Sequence, residues 1–313
     1  MLKFHVPNGN FSRSSARLRG AIPAKYCGKV IFNLKDIDKE NEVVVFSKAA
    51  QISDIKYALK NNIKFIYDVC DDKFNHPQLK ESVKYGCLHA DLIVCASKTL
   101  KEIIKSNINR ELKINVVSDP FERNTVEPKF KSGGKIKLGF FGQLGNFMYT
   151  PWKKIINDLE KKNIDFEINS VTNIQKPIFR EYTFRHPKLN LHSWSFEKQT
   201  EILNLSDIIF SPVYKNPNQN VAYKSENRAA EAINAGKFLV TNYGIDSYLN
   251  LKDYIFIDEP EKITDGVLWY LNNPNEAFNR IQKGQKYVSE NFNPQHIAKL
   301  WTDSYNEVIN NYA

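Results

Sequence analysis

The segment Tyr223 to Gly244, YKSENRAAEAINAGKFLVTNYG, combines the pattern of a polar-faced helix with that of a buried strand. On a helical wheel, four polar residues share one face at the spacing i, i+3, i+4 and i+7: Lys224, Asn227, Arg228 and Glu231. Ser225 can cap such a helix, and Gly236 can end it before the apolar run. Because a polar helix face is usually solvated, its function depends on where the remaining chain places it.

The chain before this segment alternates short apolar strands with amphipathic helices. Apolar runs such as EVVVFSK and KFIYDVCDD predict strands, and SDIKYALKNN and KTLKEIIKS predict helices. Continuous apolar strands that alternate with helices are typical of a parallel sheet covered on both faces. The polar connector RNTVEPKFKSGGK has the composition of a linker, and we expect a domain boundary near Ser132.

The alternation resumes after the connector with the strand KIKLGFFG and the predicted loop QLGNFMYT. Thr150 is the expected cap of the next helix, and Pro151 its first residue. The sequence therefore predicts an α/β protein with two Rossmann-like domains, residues 1–131 and 132–313. Parallel sheets bind ligands beyond the carboxyl ends of their strands, so we expect a cleft between these ends of the two sheets.

Composition narrows the functional classes. The 313 residues carry a net charge of +9 with 42% hydrophobic residues, and they contain neither a long apolar run nor a signal sequence, which predicts a soluble cytosolic protein. Residues 1–125 hold 21 Lys and Arg against 14 Asp and Glu, a net charge of +7. This excess is compatible with an anionic membrane or a phosphorylated ligand. Nucleic acid is not favoured, because the lysines are scattered and no binding motif accompanies them.

Two polar clusters follow predicted strands of the first domain. The first strand leads into a turn whose residues could hold an anionic group: Asn8, Gly9, Ser12, Arg13, Ser14, Ser15, Arg17 and Arg19. An ordinary solvated turn is the alternative. The second cluster consists of Asp68, Asp71 and Asp72 at the end of KFIYDVCDD. These carboxylates could accept a hydrogen bond or a proton from a substrate hydroxyl, cap the next helix, or, on weaker grounds, bind a metal.

In the second domain, Gly142 and Gly145 lie between a strand and a helix, where the backbone could approach a phosphate closely. A tight turn is the simpler alternative. The sequence lacks the GxGxxG, HExxH and GxSxG patterns of nicotinamide enzymes, zinc hydrolases and serine hydrolases. What remains is the polar face of the opening segment, whose cations suit a diphosphate and whose carboxylate suits a sugar diol. This combination predicts a nucleotide-sugar site without a metal or a cofactor.

From Lys135 onward the chain resembles the C-terminal domain of GT-B glycosyltransferases, and it is most similar to the family-4 group. The resemblance rests on LGFFGQLGN, LNLHSWSFEKQTEILNLSDIIFSPV, KSENRAAEAINAGKFLVTNYG and NFNPQHIAKLWTDSY, in this order. The first half agrees less sharply, through SSARLRG, YDVCDD and HADLIVCASKTL. The resemblance implies an acceptor domain, then a nucleotide-sugar domain, and a last helix, about 295–313, that packs on the first domain.

The resemblance also implies roles for single residues. Glu231 matches the second glutamate of the E-x7-E motif, which is expected on the donor ribose, and Tyr223 occupies the position of the first glutamate. The remaining donor-side candidates are Lys224 and Arg228 on the diphosphate, Trp194 and Ser195 at the nucleobase, and Ser225 and Asn227 beside them. Asp71 or Asp72 would be the catalytic carboxylate for the acceptor. The other acceptor-side residues would be Asn8, Gly9, Ser14, Arg17 and Asp68.

These patterns predict a glycosyltransferase that moves a sugar from a nucleoside diphosphate to a hydroxyl acceptor in surface glycan assembly. The acceptor would be a glycan, a lipid-linked molecule or a protein, and peripheral contact with the cytoplasmic face of an anionic membrane is a further expectation. Two alternatives remain open: a GT-B-like polyol-phosphate transferase and a catalytically silent GT-B-fold binding subunit.

Overall fold

The computed structural model describes residues 1–6, 9–38, 40–48, 50–129, 134–173, 185–214 and 221–310. The chain forms two compact units. The first unit consists of Met1–Glu122, Ala222–Asn227 and Glu290–Ala313, and the second of Arg123–Val221 and Arg228–Ser289. The predicted boundary residue Ser132 lies outside the described residues.

The first unit contains a parallel six-stranded sheet with the strand order β2-β1-β3-β4-β5-β6. Its strands are β1 (Leu2–His5), β2 (Gly28–Ile31), β3 (Val43–Ser47), β4 (Phe65–Val69), β5 (Leu92–Cys95) and β6 (Ile114–Val116). The four residues from Val43 to Phe46 are completely buried. Continuous apolar strands are required here because helices cover a parallel sheet on both faces.

The second unit contains another parallel six-stranded sheet, with the order β12-β11-β10-β7-β8-β9. Its strands are β7 (Ile136–Gly142), β8 (Phe166–Thr172), β9 (Leu189–Ser193), β10 (Ile208–Ser211), β11 (Phe238–Asn242) and β12 (Phe256–Asp258). Counted within the unit, this is the 3-2-1-4-5-6 order of a Rossmann sheet. The order reverses between β7 and β10, and ligands bind such sheets at the carboxyl side of the reversal.

Helices connect the strands. In chain order they are α1 (Ser14–Ala16) and α2 (Ile22–Cys27), joined by the π-helical section Arg17–Ala21, then α3 (Ile52–Lys60), α4 (Lys80–His89), α5 (Lys98–Asn107), α6 (Leu144–Tyr149), α7 (Trp152–Lys161), α8 (Phe196–Leu205), α9 (Asn227–Asn234), α10 (Ile263–Asn272), α11 (Pro274–Asn291) and α12 (Pro294–Asn310). The α/β architecture and the parallel sheets predicted from the alternation are therefore confirmed.

The last helix, α12, belongs to the first unit. Its apolar side packs in one cluster with residues of β1, β3 and β5. Trp301 is completely buried and meets the ring of Phe4 edge-on, with 5.4 Å between the ring centroids. Burial of large apolar surface is the main stabilising contribution to folding, so α12 is a structural part of this unit.

The stretch from Gln143 to Thr150 differs from its predicted loop conformation, because most of it forms helix α6. Phe147 is buried, and its ring lies 5.8 Å from that of Phe140 and 5.0 Å from that of Trp152. This packing stabilises a helical turn that has no local sequence signature. As a result α7 begins at Trp152, and Pro151 precedes the helix instead of opening it.

Helix α9 begins at Asn227, four residues after the start of the segment quoted first. Lys224 and Ser225 therefore lie outside the helix, and the predicted four-residue polar face is wrong for Lys224. The predicted end of the helix is confirmed. Gly236 adopts a φ of +69°, its amide donates to the carbonyl of Ile233, and an added Cβ would lie 2.5 Å from the Val126 carbonyl oxygen. Only glycine meets both demands without strain.

Candidate functional site

The order reversal of the second sheet places Gly142 at the end of β7 and Ser211 at the end of β10. Arg228, in the first turn of α9, lies between these two strand ends. Its Nη1 atom is 3.4 Å from the Ser211 hydroxyl oxygen, and a Cβ added to Gly142 would be 3.4 Å from the same Nη1. The guanidinium group thus occupies the position where an open α/β sheet presents groups to a ligand.

Arg228 is half-buried, and no carboxylate in the described part of the chain forms an ion pair with it. A partly desolvated guanidinium without a counter-ion attracts anions, and its planar fork suits phosphate oxygens. The absence of a side chain at Gly142 keeps the space beside Nη1 open. Gly145, on α6, also has free space, because a Cβ added there would have no neighbour within 4 Å among the described atoms.

Glu231 lies one turn after Arg228 on α9, and 2% of its surface is exposed. One carboxylate oxygen is 3.1 Å from Nη1 of Arg123, and these two residues form an ion pair. Sequence reasoning missed Arg123, because it begins the connector RNTVEP and has no local pattern in common with α9. Its partner is 108 residues away in the chain.

Trp194 and Ser195 follow β9, the edge strand of the second sheet. The Trp194 indole N–H donates to Oε1 of Gln199 at 2.8 Å, and its backbone amide donates to the Thr172 carbonyl at 2.7 Å. The Ser195 hydroxyl accepts from the Lys198 amide and caps α8. Both residues therefore have structural partners, and their contact with a nucleobase stays a prediction.

The segment Ala222–Asn227 belongs to the first unit, and the residues of α9 from Arg228 onward belong to the second. Tyr223 is buried in the core of the first unit, and its carbonyl accepts a hydrogen bond of 2.6 Å from the Ser97 hydroxyl. Ser225 donates to Oδ2 of Asp119 at 2.6 Å instead of capping α9. An aromatic side chain at position 223 thus has a packing role, where the E-x7-E pattern has a glutamate.

Asp71 lies between two lysines just after β4. Oδ1 accepts a short hydrogen bond from Lys224, and Oδ2 is 3.2 Å from Nζ of Lys48. Burial opposes the charged form of Asp71, but the two ammonium groups outweigh it and hold the carboxyl pKa below its ordinary value. Burial likewise opposes the charge of Lys224, and Asp71 outweighs it by raising the lysine pKa. Asp72 accepts a hydrogen bond from the Phe74 amide at 3.1 Å.

The lowered pKa of Asp71 predicts an acid-sensitive contribution to stability. At pH values above 3.8, the ordinary carboxyl pKa, the charged pair contributes its full stabilisation to the first unit. This stabilisation is lost as the pH falls through the lowered pKa of the folded state. We expect Asp71→Asn to be less stable than the wild type by a constant amount between about pH 5 and pH 8, and the difference to shrink below about pH 4. Urea unfolding at each pH measures it. Asp303→Asn, in an exposed ion pair with Lys299, is the control, and an unchanged difference at about pH 3 would contradict the assignment.

Asp68, one of the predicted acceptor-side residues, is completely buried at the carboxyl end of β4. Both of its oxygens accept from Arg19, at 2.6 and 3.1 Å, and Arg19 also contacts Asp119 at 3.3 Å and the Val117 carbonyl. The Arg19 guanidinium lies 5.2 Å from the ring centroid of Trp301. Asp68 is therefore the counter-ion of a buried arginine, and its carboxylate is closed to an acceptor from solvent.

The first strand-to-helix turn is only partly available as an anion site. Arg17 is engaged, because its guanidinium pairs with Glu122 at 2.7 Å and donates to the Phe11 and Ser12 carbonyls. Gly9 has a φ of +57°, which agrees with the predicted turn, and Ser14 is exposed at the first residue of α1. Asn8 lies outside the described residues.

Several solved structures share this architecture at low sequence identity. HepE of Anabaena, solved with UDP and glucose, matches with a TM-score of 0.70 and 10% identity over 97% of this chain and 99% of that one. A TarM variant of S. aureus, solved with UDP, matches with a TM-score of 0.64 and 14% identity over 87% of this chain. The trehalose 6-phosphate synthase of Burkholderia multivorans matches with a TM-score of 0.66 and 10% identity, over 88% of this chain and 72% of that one.

The chain has the GT-B glycosyltransferase fold. It spans 57% of the length of the TarM variant. No protein-family model matches the chain, and no curated protein sequence matches it. The GT-B assignment thus rests on three-dimensional similarity, and it confirms the fold that the motif order had indicated.

The described residues were also compared with the requirements of a membrane-spanning helix and of a metal site. Over the described ranges, no helix has both the length and the apolar character needed to cross a membrane. In the same ranges, no three His, Cys, Asp or Glu residues are grouped closely enough to bind a metal ion together.

Proposed function

We propose that the chain is a glycosyltransferase of the family-4 type that transfers a hexosyl group from a nucleoside-diphosphate sugar to a hydroxyl acceptor. The observation that carries the proposal is Arg228, a guanidinium without an ionic partner among the described residues, at the order reversal of a Rossmann sheet. A diphosphate is the ligand whose charge and geometry suit this position. The GT-B fold supports it, since HepE was solved with UDP-glucose and has nearly the same length.

In the proposed reaction the bond between the anomeric carbon and the diphosphate oxygen breaks, and the electron pair stays with the diphosphate. A bond from the acceptor oxygen to the same carbon replaces it, and the proton of the acceptor hydroxyl passes to water. Arg228 stabilises the negative charge that grows on the leaving diphosphate, which is an electrostatic task for a fixed cation and needs no metal. Glu231 accepts hydrogen bonds from the ribose hydroxyls of the donor.

Asp71 and Asp72 are proposed as acceptor-side carboxylates. Because Lys224 and Lys48 lower the pKa of Asp71, this group is a weak base at neutral pH. Asp71 is better suited to accept a hydrogen bond from the acceptor hydroxyl, which orients that hydroxyl. Lys224 acts through Asp71 in this scheme, because the two side chains are paired in the first unit.

We further propose that the acceptor belongs to a surface glycan under assembly, and that the basic first domain contacts an anionic membrane. The charge of +7 over residues 1–125 supports only the membrane part. Binding to vesicles that rises with the fraction of anionic lipid and falls with salt would support this contact. Binding that is independent of both would remove it.

A thermal-shift panel of UDP, GDP, ADP and CMP, each alone and as a sugar conjugate, tests the donor assignment. A ligand that binds only the folded state raises the unfolding temperature, and we expect one nucleoside diphosphate to do so. Glu231→Gln should then weaken binding of that nucleotide by about 1 to 3 kcal/mol, through loss of a charged hydrogen bond. Glutamine is preferred to alanine because it keeps the volume beside Arg123. Unchanged affinity in the folded variant would contradict the role of Glu231.

Product analysis separates this function from its alternatives. Transfer of a sugar with release of a nucleoside diphosphate supports the proposal, whereas transfer of a polyol phosphate from an activated polyol supports the second enzyme class. If the wild type binds no member of the nucleotide panel, the chain is better explained as a silent binding subunit.

A further inference from the structure

Arg123 begins the connector, and its side chain is held by several groups of the second unit. Its side chain is only 7% exposed, and its guanidinium reaches four groups in the second unit: the Thr200 hydroxyl from Nε at 2.8 Å, the Glu231 carboxylate from Nη1 at 3.1 Å, the Phe196 carbonyl from Nη2 at 3.4 Å, and the Phe196 ring at 4.3 Å from its centroid. A planar group that is held at its edge and at its face has a single orientation.

The main chain around Arg123 is fixed as well. The side-chain amide of Asn234 donates to the Arg123 carbonyl at 2.8 Å, and its oxygen accepts from the Thr125 hydroxyl at 2.8 Å. The Val126 amide donates to the Asn234 carbonyl at 3.0 Å. Asn234 stands three residues after Glu231, so the connector is attached to the same helix that carries the carboxylate.

These contacts connect two parts of the proposed donor site. Phe196 and Thr200 lie on α8, directly after Trp194 and Ser195, and Glu231 lies on α9. The Arg123 guanidinium therefore links Glu231, the carboxylate proposed to bind the ribose, to helix α8. This helix follows Trp194 and Ser195, which are proposed to contact the nucleobase. Arg228 does not share this network among the contacts described.

We propose that Arg123 is a positioning residue of the donor site, which holds the Glu231 carboxylate in the orientation that recognises the ribose hydroxyls. This inference rests on the proposed function, because it requires a nucleoside diphosphate to bind in the second unit. A buried carboxylate that loses its cation either takes up a proton or turns toward water, and in both cases the hydrogen bonds it can accept change. Recognition of the ribose should therefore fail while recognition of the diphosphate by Arg228 remains.

The experiment measures how strongly the protein prefers a ribose over a deoxyribose. The affinities of UDP, GDP and ADP, and of their 2′-deoxy and 3′-deoxy counterparts, are measured by titrating each nucleotide into the protein. The proteins are the wild type, Arg123→Met and Arg123→Lys. We expect the wild type to prefer the complete ribose by roughly tenfold or more, the size of a charged hydrogen bond. The methionine variant should show a preference below about threefold, while its affinity for the deoxynucleotide stays within about threefold of the wild type.

Arg280→Met is the matched control. Arg280 also lies in the second unit, pairs with Glu276 at 3.1 Å, contacts the Ile255 carbonyl at 3.4 Å and lies 4.6 Å from the ring centroid of Trp269. Loss of this arginine removes the same kinds of contact without touching Glu231, so the ribose preference should remain at the wild-type value. The ratio of two affinities, measured on folded protein, does not change through a loss of global stability alone.

The outcomes separate the two proposals. If the wild type binds a nucleoside diphosphate with a ribose preference that Arg123→Met retains, Arg123 is not a positioning residue and the proposed function stands. The same conclusion follows if the wild type shows no ribose preference, or if Arg280→Met loses it equally. If Arg123→Met does not fold, Arg123→Lys decides, because lysine keeps the charge but lacks the fork and the flat face; a full preference there overturns the inference. No binding of any nucleoside diphosphate by the wild type overturns the proposed function and this inference with it.

Discussion

Replacement of Arg228 by glutamine is expected to lower kcat/KM for sugar transfer by about 100-fold or more, the loss that follows removal of one donor that stabilises growing negative charge. The reason is its position: Nη1 lies beside Gly142 and Ser211 at the reversal of the sheet, where the described residues offer no carboxylate to neutralise it. Glutamine keeps a hydrogen-bond donor on a shorter side chain and has no charge. The measurement is steady-state kinetics with the nucleotide sugar selected by the thermal-shift panel.

Two further variants define what Arg228 contributes. Ser211→Ala removes the hydroxyl that lies near Nη1 and leaves the cation in place, so we expect a change within about threefold. Arg228→Lys keeps the charge without the bidentate fork and should recover only part of the activity. Wild-type kinetics in Arg228→Gln would contradict the assignment of the diphosphate to this residue.

Arg19→Met is expected to destabilise the first unit by about 3 to 5 kcal/mol, because it leaves the Asp68 carboxylate buried without its cation. Arg19 is 1% exposed and Asp68 is completely buried, and their hydrogen bonds are 2.6 and 3.1 Å long. The measurement is urea unfolding combined with native-state hydrogen exchange. Exchange in β4 and α12 should accelerate, and exchange in β7 of the second unit provides an internal reference.

The appropriate controls test whether burial is the cause. Lys299→Met breaks an ion pair whose side chains are 72% and 53% exposed, and we expect a change within about 1 kcal/mol. The double variant Arg19→Met, Asp68→Leu removes both charges and should recover most of the lost stability. Equal losses in Arg19→Met and in Lys299→Met would show that the buried pair has no special weight.

The buried pair also gives Asp68 a structural role that its local sequence does not predict. A carboxylate near the end of a buried strand can face a ligand or an internal cation, and the local sequence is the same in both cases. The deciding partner, Arg19, is 49 residues away and lies in a π-helical section. Asp71, three residues further on, has lysine partners and remains 16% exposed, which keeps it available as an acceptor-side candidate.

The four polar residues of the opening segment likewise show that local sequence does not reveal a distant partner. Helical spacing places Lys224 and Glu231 on one face, but spacing has this meaning only inside a helix, and α9 begins at Asn227. Lys224 pairs with Asp71, 153 residues away, and Glu231 pairs with Arg123, 108 residues away. Arg228 lies one turn before Glu231 and contacts Ser211 at a strand end of the second sheet.

Local patterns in the chain were sufficient for its buried strands and for the end of α9, but not for helix α6 or for the start of α9. Continuous apolar runs such as Val43–Phe46 predicted the buried parallel strands, and Gly236 marked the end of α9, because backbone preference and burial act within a few residues. The order of the motifs in addition indicated the GT-B fold. The tertiary structure alone decided which polar groups are counter-ions and which are open to a ligand. That choice depends on contacts between residues as far apart in the chain as Lys224 and Asp71 or Glu231 and Arg123, and no local spacing encodes them.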